Sequence, residues 1–439
     1  MKTFLFKGGI HPYDGKELSK DKPIKWVYPK GELVYPLSQH IGAPSVPVVK
    51  KGDCVLIGQK IAEAGGFVSA PIYSTVSGKV KAIEPRLTVT GAMINSIVIE
   101  NDFNHKEVEW PERKPIEEMT REEKLEIIKE AGIVGMGGAG FPTHVKLSPK
   151  EPDEIEYIIA NCAECEPYLT SDYRRMMEDT EKIVGGLKIA VSLFKNARGI
   201  IAVEDNKPDA IAKLREACKN DTNIEVASFK TKYPQGAERM LIYACTGRKI
   251  NSSMLPADAG CIVNNADTIT AIYNAFYEGK PLLYRIITVT GDAIADPRNF
   301  SVPIGTNYRE LIEEAGGFKE EPEKIISGGP MMGFGIFNLD IPVTKTSSAL
   351  LCLTKDEVAA MEPSACINCG RCVSICAENL LPSRLASLSE RYDEEGFLKL
   401  DGMECCECGS CAFVCPAKRP LTQSIKSMRR MLLAKRKRG

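Results

Sequence analysis

With 439 residues, 44% hydrophobic and 26% charged, the chain is long enough for about three domains with buried cores, which excludes an intrinsically disordered protein. Its 57 basic and 58 acidic side chains leave a net charge of -1, which excludes a globally basic nucleic-acid binder and confines electrostatic docking to local patches. Sixteen cysteines in a long chain without a signal-like leader point to metal or redox chemistry rather than a disulfide scaffold.

The opening "MKTFLFKGGIHPYDG" has an apolar run too short for a secretory signal, and nothing approaches the ~18 apolar residues of a membrane span, so a cytoplasmic protein is expected. Between residues 30 and 85, "VKKGDCVLIGQKIAE" and "APIYSTVSGKVKAIE" alternate apolar residues with turn glycines. That pattern predicts a barrel-sandwich hybrid of the biotinyl/lipoyl type. No lysine occupies a carrier hairpin tip, so the barrel reads as a docking module.

"REEKLEIIKEAG" carries Leu125, Ile127 and Ile128 in the pattern of an amphipathic helix. It leads into "GMGGAG" at 135–140, a literal G-x-G-x-x-G. A dinucleotide fingerprint needs a strand before it and a helix after it, whereas here a helix precedes, and Phe141 and Pro142 interrupt the helix start required downstream. The glycines still expose backbone N–H groups to an anion; a phosphate-holding loop and a tight structural turn both stay open at this point. Further on, residues 284–336 read strand, loop, strand, helix, strand, which predicts a β-grasp domain.

Near the C-terminus, Cys366, Cys369, Cys372 and Cys376 stand as C-x2-C-x2-C-x3-C, and Cys405, Cys408, Cys411 and Cys415 repeat the spacing. Each repeat reads as a [4Fe-4S] ligand set, and in two-cluster proteins the fourth thiolate serves the other cluster. The expected sets are therefore Cys366, Cys369, Cys372 with Cys415, and Cys405, Cys408, Cys411 with Cys376. A pair of zinc knuckles is the alternative, but two evenly spaced triplets, each with a fourth cysteine, are rare among zinc sites. Cys406 fits no frame and reads as a bystander. Ala377 stands where the second repeat has Pro416. Leu380, Leu381, Leu385 and Leu388 between the repeats predict a helical ferredoxin-like domain. In the tail "SIKSMRRMLLAKRKRG", Ile425, Met428, Met431 and Leu432 share one helical face among basic residues, the pattern of a helix that lies on an anionic surface or partner, with a solvated terminal helix as the alternative.

"GGAGFPTHVK" resembles the flavin loop of the NADH-oxidising, FMN-bearing subunit of respiratory complex I, and "NCAECEP", "YPQGAERML" and "VNNADT" follow in that family's order. The resemblance implies that Gly135, Gly137, Gly140 and Lys146 cradle the phosphate of a noncovalent FMN, that Asn161 and Glu164 flank the isoalloxazine, and that Gly138 and Glu166 are also cofactor-binding. It implies further that Asn264, Asn265 and Thr268 close over the ribityl chain, that Phe141 stacks on NAD(H), and that Tyr233 and Glu238 line the pocket. Ala163 and Ala237 replace acidic residues of that family, which leaves NADH orientation less determined than FMN binding. Cys162 and Cys165 form a C-x2-C that reads as lining.

The flanks choose a relative. "FKGGIHPYDGKELSKDKPI" and the double cysteine motif resemble RnfC, a component of the Rnf ferredoxin:NAD oxidoreductase complex, over essentially the whole chain. The expectation is a multidomain α/β protein with an N-terminal barrel-sandwich domain (1–115), an FMN/NADH-binding α/β domain (116–280), an SLBB β-grasp domain (281–345) and a ferredoxin-like domain with two [4Fe-4S] motifs and a basic tail (346–439). Such a protein passes electrons from NADH through FMN to the first and then the second cluster. It assigns no residue as acid or base and no role in nucleic-acid binding. It sits peripherally on the cytoplasmic face of the cell membrane among other Rnf subunits of an ion translocase. A corrinoid reductase of diol-degrading microcompartments and a non-catalytic electron-wire subunit are the alternatives.

Overall fold

The computed structural model describes residues 3–436. Turn glycines divide the N-terminal region into short strands that form two small sheets. Leu33–Pro36, Met93–Asn101, Gly78–Leu87 and Cys54–Val55 pair antiparallel in that order; Val46–Pro47, Lys60–Glu63 and Ile72–Tyr73 form the second sheet. Alternation puts Leu33, Tyr35, Ile61, Ile72, Val80 and Ile99 into a common core. Residues before Lys25 leave this barrel. They run across the rest of the molecule, and Lys25–Trp26 joins a different sheet.

The central domain is a parallel sheet in the order Ile224–Phe229, Arg198–Glu204, Tyr157–Cys162, Cys261–Asn265. Its strands are apolar on both faces, as a sheet covered on both sides requires. Ile159 and Ile200 face the helix Glu238–Thr246, while their neighbours Ile158 and Ile201 face Thr180–Val191 and Ala266–Tyr277. Counted in chain order, the strands lie 3-2-1-4. The switch point of this doubly wound sheet therefore falls between Tyr157–Cys162 and Cys261–Asn265, where ligands bind at the carboxyl ends.

The β-grasp region forms a six-stranded sheet with Tyr284–Thr290 and Arg298–Pro303 as its hairpin and Tyr308–Glu314 as its helix. Ala349–Leu353 inserts between Tyr284–Thr290 and Lys324–Ser327, so the sheet runs past the boundary expected at 345. Apolar "ALLCL" fits a central strand buried on both sides.

The cysteine region is helical, with Arg371–Ser374, Pro382–Glu390, Glu394–Lys399, Ser410–Phe413 and Leu421–Arg436. Here the structure corrects the expectation for the tail. Ile425, Met428 and Leu432 are buried among Leu380, Leu385, Ala386 and Phe397 in the core of this domain, with Met431 partly buried against it. The apolar stripe is an internal packing face rather than one open to an anionic surface. Lys426 and Arg429 pair with Glu407, and Lys435 pairs with Glu394. Lys437 and Arg438 lie outside the described residues. Among those described, no helix is long and apolar enough to cross a membrane.

Candidate flavin and iron-sulfur sites

The glycine loop reaches the switch point from outside the sheet. The helix Arg121–Glu130, closed at its start by a Thr120–Glu123 capping box, delivers the chain to residues 133–143 over the N-terminus of Ala266–Tyr277. The Met136 amide donates to Thr268 Oγ1 at 2.9 Å, and Gly135 N donates to Phe141 O at 2.8 Å. Gly137, at φ 84°, packs against Asn265, and a side chain there would meet that amide at 3.2 Å. The space beside Gly138 is open. The Met136 and Gly135 amides are satisfied within the protein; the turn at Gly137 rests on Asn265, the N-cap of Ala266–Tyr277, so the open space beside Gly138 is where an anionic group would meet that helix N-terminus. Phe141 is half-buried at the loop's end.

Several expected residues gather here. Lys146 Nζ lies 2.7 Å from Val263 O and 3.1 Å from Glu238. Asn161 bonds Gly236 O at 2.9 Å and accepts from Ala163 N at 3.1 Å. Asn265 caps Ala266–Tyr277 through Asp267 N and donates to Asp172 at 2.9 Å. Asn264 is buried, yet neither Oδ1 nor Nδ2 has a protein partner. A buried amide left without partners is costly, and a polar ligand at the switch point would satisfy it; the residues present fit a flavin nucleotide on this count.

Other expected residues are committed elsewhere. Glu164 accepts from the Asp172 and Tyr173 amides at 2.8 and 3.3 Å, anchoring the start of Ser171–Glu178, and lies 3.9 Å from Lys16. Burial raises the Glu164 carboxyl and lowers the Lys16 ammonium, with their mutual attraction opposing both. Glu166 accepts from the amides of Met331 and Met332 at 2.7 and 3.2 Å, fastening the β-grasp domain. Burial pushes its carboxyl up to about 7. Tyr233 donates to Cys408 O at 2.7 Å, inside a cysteine loop rather than a nucleotide pocket.

The sequence motifs gave no sign of the charges beneath Asn265. Asp267 is held by Arg175 at 2.8 Å and Arg285 at 2.5 Å. The Asp172 carboxyl is pushed up to about 8, by burial first and then by Glu164 and Asp267. An arginine in the apolar strand "YRIITVT" was the available signal, because a charge on a buried strand needs a buried partner. Equally unforeseen is Lys345, fully buried, which donates to Pro71 O at 2.6 Å and Gly132 O at 2.7 Å and so ties the barrel to the segment entering the glycine loop.

The cysteines gather around two cavities. One, of about 120 Å³, is lined by Cys366, Cys369, Cys372 and Cys415, with Pro416 beside them. The other is lined by Cys376, Cys405, Cys408 and Cys411, and also by Cys406. Each cavity thus takes three thiols from one repeat and one from the other, a donor set that fits a cubane. Among the described residues, no group of three or more His, Cys, Asp or Glu would hold a single metal ion.

The two cavities differ in surroundings. Cys366 and Cys369 are exposed, as is Ile367. The second cavity backs onto the flavin-type domain, through Tyr233 on Cys408 O, through Arg239 on Glu404 at 2.9 Å, and through the Ser252 amide on Glu404 at 2.7 Å.

Comparison with known proteins gives the same division. The chain matches the RnfC barrel sandwich hybrid domain over residues 4–104, the Nuo51 FMN-binding domain over 128–274, the SLBB domain over 286–335 and the 4Fe-4S dicluster domain over 365–418. The RnfC-type component of the Na(+)-translocating ferredoxin:NAD(+) oxidoreductase complex of Acetobacterium woodii is 46% identical to it, covering 100% of this chain and 99% of the relative. The chain belongs to the RnfC family. A second RnfC relative, from the proton-translocating ferredoxin:NAD(+) oxidoreductase complex of Clostridium ljungdahlii, is 47% identical over 88% of this chain and 84% of its own.

An NAD+-reducing [NiFe]-hydrogenase in its air-oxidized state has a similar fold at 18% identity, with a TM-score of 0.53 over 73% of this chain and 62% of that one. This RnfC-family protein therefore carries an FMN-binding domain and a 4Fe-4S dicluster domain on one chain, in the order expected from its sequence.

Proposed function

We propose that this chain is the NAD-side electron-transfer subunit of an ion-translocating ferredoxin:NAD oxidoreductase complex. One observation carries the reading: Tyr233, from a flavin-family motif, is bonded to the backbone of Cys408, in a predicted cluster-ligand loop. Bound FMN would supply chemistry that links two-electron hydride exchange with NADH to the one-electron steps a cubane requires. The chain's own residues bind and orient. The glycine loop and the N-terminus of Ala266–Tyr277 would hold the phosphate, Lys146 lies beside Val263 and Glu238, and Asn264 would offer the amide that lacks a protein partner.

The set Cys376, Cys405, Cys408 and Cys411 faces the flavin domain and is the entry side. The set Cys366, Cys369, Cys372 and Cys415, whose first two members are exposed, is the exit to a partner. Chain order leaves open which set exits; this assignment rests on Cys408 and Glu404 meeting Tyr233 and Arg239.

Relatives named for Na+ and for proton translocation match this chain at 46% and 47% identity, which supports placing the ion step in other subunits. The full-length likeness to Rnf proteins favours this reading over a corrinoid reductase. The chain would lie peripherally at the cytoplasmic face, held by partner subunits.

Anaerobic purification, then iron and flavin analysis and NADH titration, tests the proposal. About eight irons, one FMN released on denaturation, and flavin bleaching by NADH are expected. Full iron with flavin that NADH fails to bleach would favour an electron wire instead.

A further inference from the structure

The "FKGG" opening has a place in the fold that its family likeness does not explain. Residues 6–10 lie between the flavin domain and the entry-side cysteines and touch both. The Phe6 ring is buried with Met240, on the flavin-domain helix Glu238–Thr246, and with Ala377, the residue after Cys376; Ala237 packs against the same cluster. Gly9 N donates to Ile375 O at 2.9 Å, one residue before Cys376, while Ile10 and Tyr233 exchange both backbone bonds at 2.9 Å. Lys232 closes the flavin-domain side, donating to Phe6 O and to Gly8 O, with its ammonium 3.5 Å from the Phe6 ring centroid.

Gly8 stands at φ 75°, and a side chain there would meet Ile375 O at 2.6 Å. Backbone meets backbone at that point, so the contact cannot be relieved by turning a side chain.

We infer that residues 6–10 are a positioning strap that sets the separation between the flavin domain and the Cys376, Cys405, Cys408, Cys411 set. The inference rests on the reading of that set as the entry side. The strap is a wedge (Phe6) and two backbone staples (Gly9 to Ile375, Ile10 to Tyr233). Ala377 belongs to this arrangement. Where the other repeat has Pro416 lining its cavity, the first repeat has a small residue that accepts the Phe6 ring.

The test uses the full chain loaded with iron and flavin. Phe6→Ala removes the wedge and Gly8→Ala crowds the staple. Gly91→Ala is the control, since Gly91 has a similar φ of 78° but nothing within 4 Å. Phe6→Leu is the conservative rescue. Iron content, flavin content and the rate of flavin bleaching by NADH should match the parent in every variant. Appearance of the cluster EPR signal after rapid mixing should slow about tenfold or more in Phe6→Ala and Gly8→Ala, the scale on which small misplacements of reacting groups act. Phe6→Leu should recover most of the rate and Gly91→Ala should be unaffected.

Hydrogen exchange at residues 375–377 should rise in both slowed variants. Unchanged cluster reduction in both would overturn the inference. So would loss of iron from both, which would show that the segment builds the cluster domain rather than placing it. The exchange measurement needs no NADH, so a parent that NADH fails to reduce sinks the proposed function, while unchanged exchange sinks the strap.

Discussion

Tyr233 and Cys408 are joined by a 2.7 Å hydrogen bond from the phenol to the backbone carbonyl. Tyr233 is almost fully buried, and the bond, itself partly buried, joins one cysteine loop to one flavin-family motif. The bond decides which of two nearly identical cysteine repeats faces the flavin domain, a question that their spacing leaves undetermined.

The partition of thiols between the cavities gives a pairwise prediction. Cys376→Ser and Cys405→Ser should remove the same EPR signal, and Cys366→Ser and Cys415→Ser should remove the other. Cys406→Ser should keep about eight irons, although Cys406 lines the entry-side cavity. Equal loss from Cys405→Ser and Cys406→Ser would show that the ligand frame is displaced by one residue.

Asn264 predicts opposite effects on the empty and the loaded protein. Its amide is buried without protein partners, so Asn264→Ala should leave the flavin-free protein unchanged or more stable by about 1 kcal/mol. The same variant should weaken FMN binding by about 1–3 kcal/mol, roughly 5- to 150-fold. Thermal melting of stripped protein and fluorescence titration with FMN check the two halves. A variant that melts lower and binds FMN normally would place the amide in the scaffold.

Lys345 makes stability depend on pH. Burial pushes its ammonium down from 10.5 to about 7. Between those values the unfolded chain holds a proton that the folded chain has released, so stability should rise with pH, at up to about 1.4 kcal/mol per unit. The contribution is constant below about 7. Lys345→Met should flatten the slope in urea unfolding measured from pH 7 to 10. It should also lower stability near pH 10, where the neutral amine still donates to Pro71 O and Gly132 O.

The tail prediction changes with the structure. A surface-docking helix would mean that cutting after Gln423 frees the protein from membranes at low salt while NADH oxidation survives. Because Ile425, Met428 and Leu432 are core residues of the cluster domain, the cut should instead cost iron. Leu432→Ala alone should destabilise that domain by about 2–5 kcal/mol, read by iron content and unfolding of the loaded chain. Arg430→Glu, at an exposed position of the same helix, should leave iron intact, and membrane sedimentation at graded salt then reports any electrostatic docking by itself.

What the sequence determined by itself was local. Cysteine spacing is a property of a few consecutive residues, so two candidate ligand sets were legible, as was the turn-punctuated barrel; the α/β domain was legible only through the family resemblance of its motifs. The amphipathic tail was legible as a helix, but an apolar stripe reads the same whether it meets lipid or its own domain, and only Leu385 and Phe397 packed against Ile425 and Leu432 decided that. Glu164, Glu166 and Tyr233 sat in recognisable motifs, yet their partners Lys16, Met331 and Cys408 are 148, 165 and 175 residues distant. The facing of the clusters, the buried charges under Asn265 and the strap at Phe6 are contacts of that long-range kind. They depend on where separate elements meet in space, which no window of sequence contains.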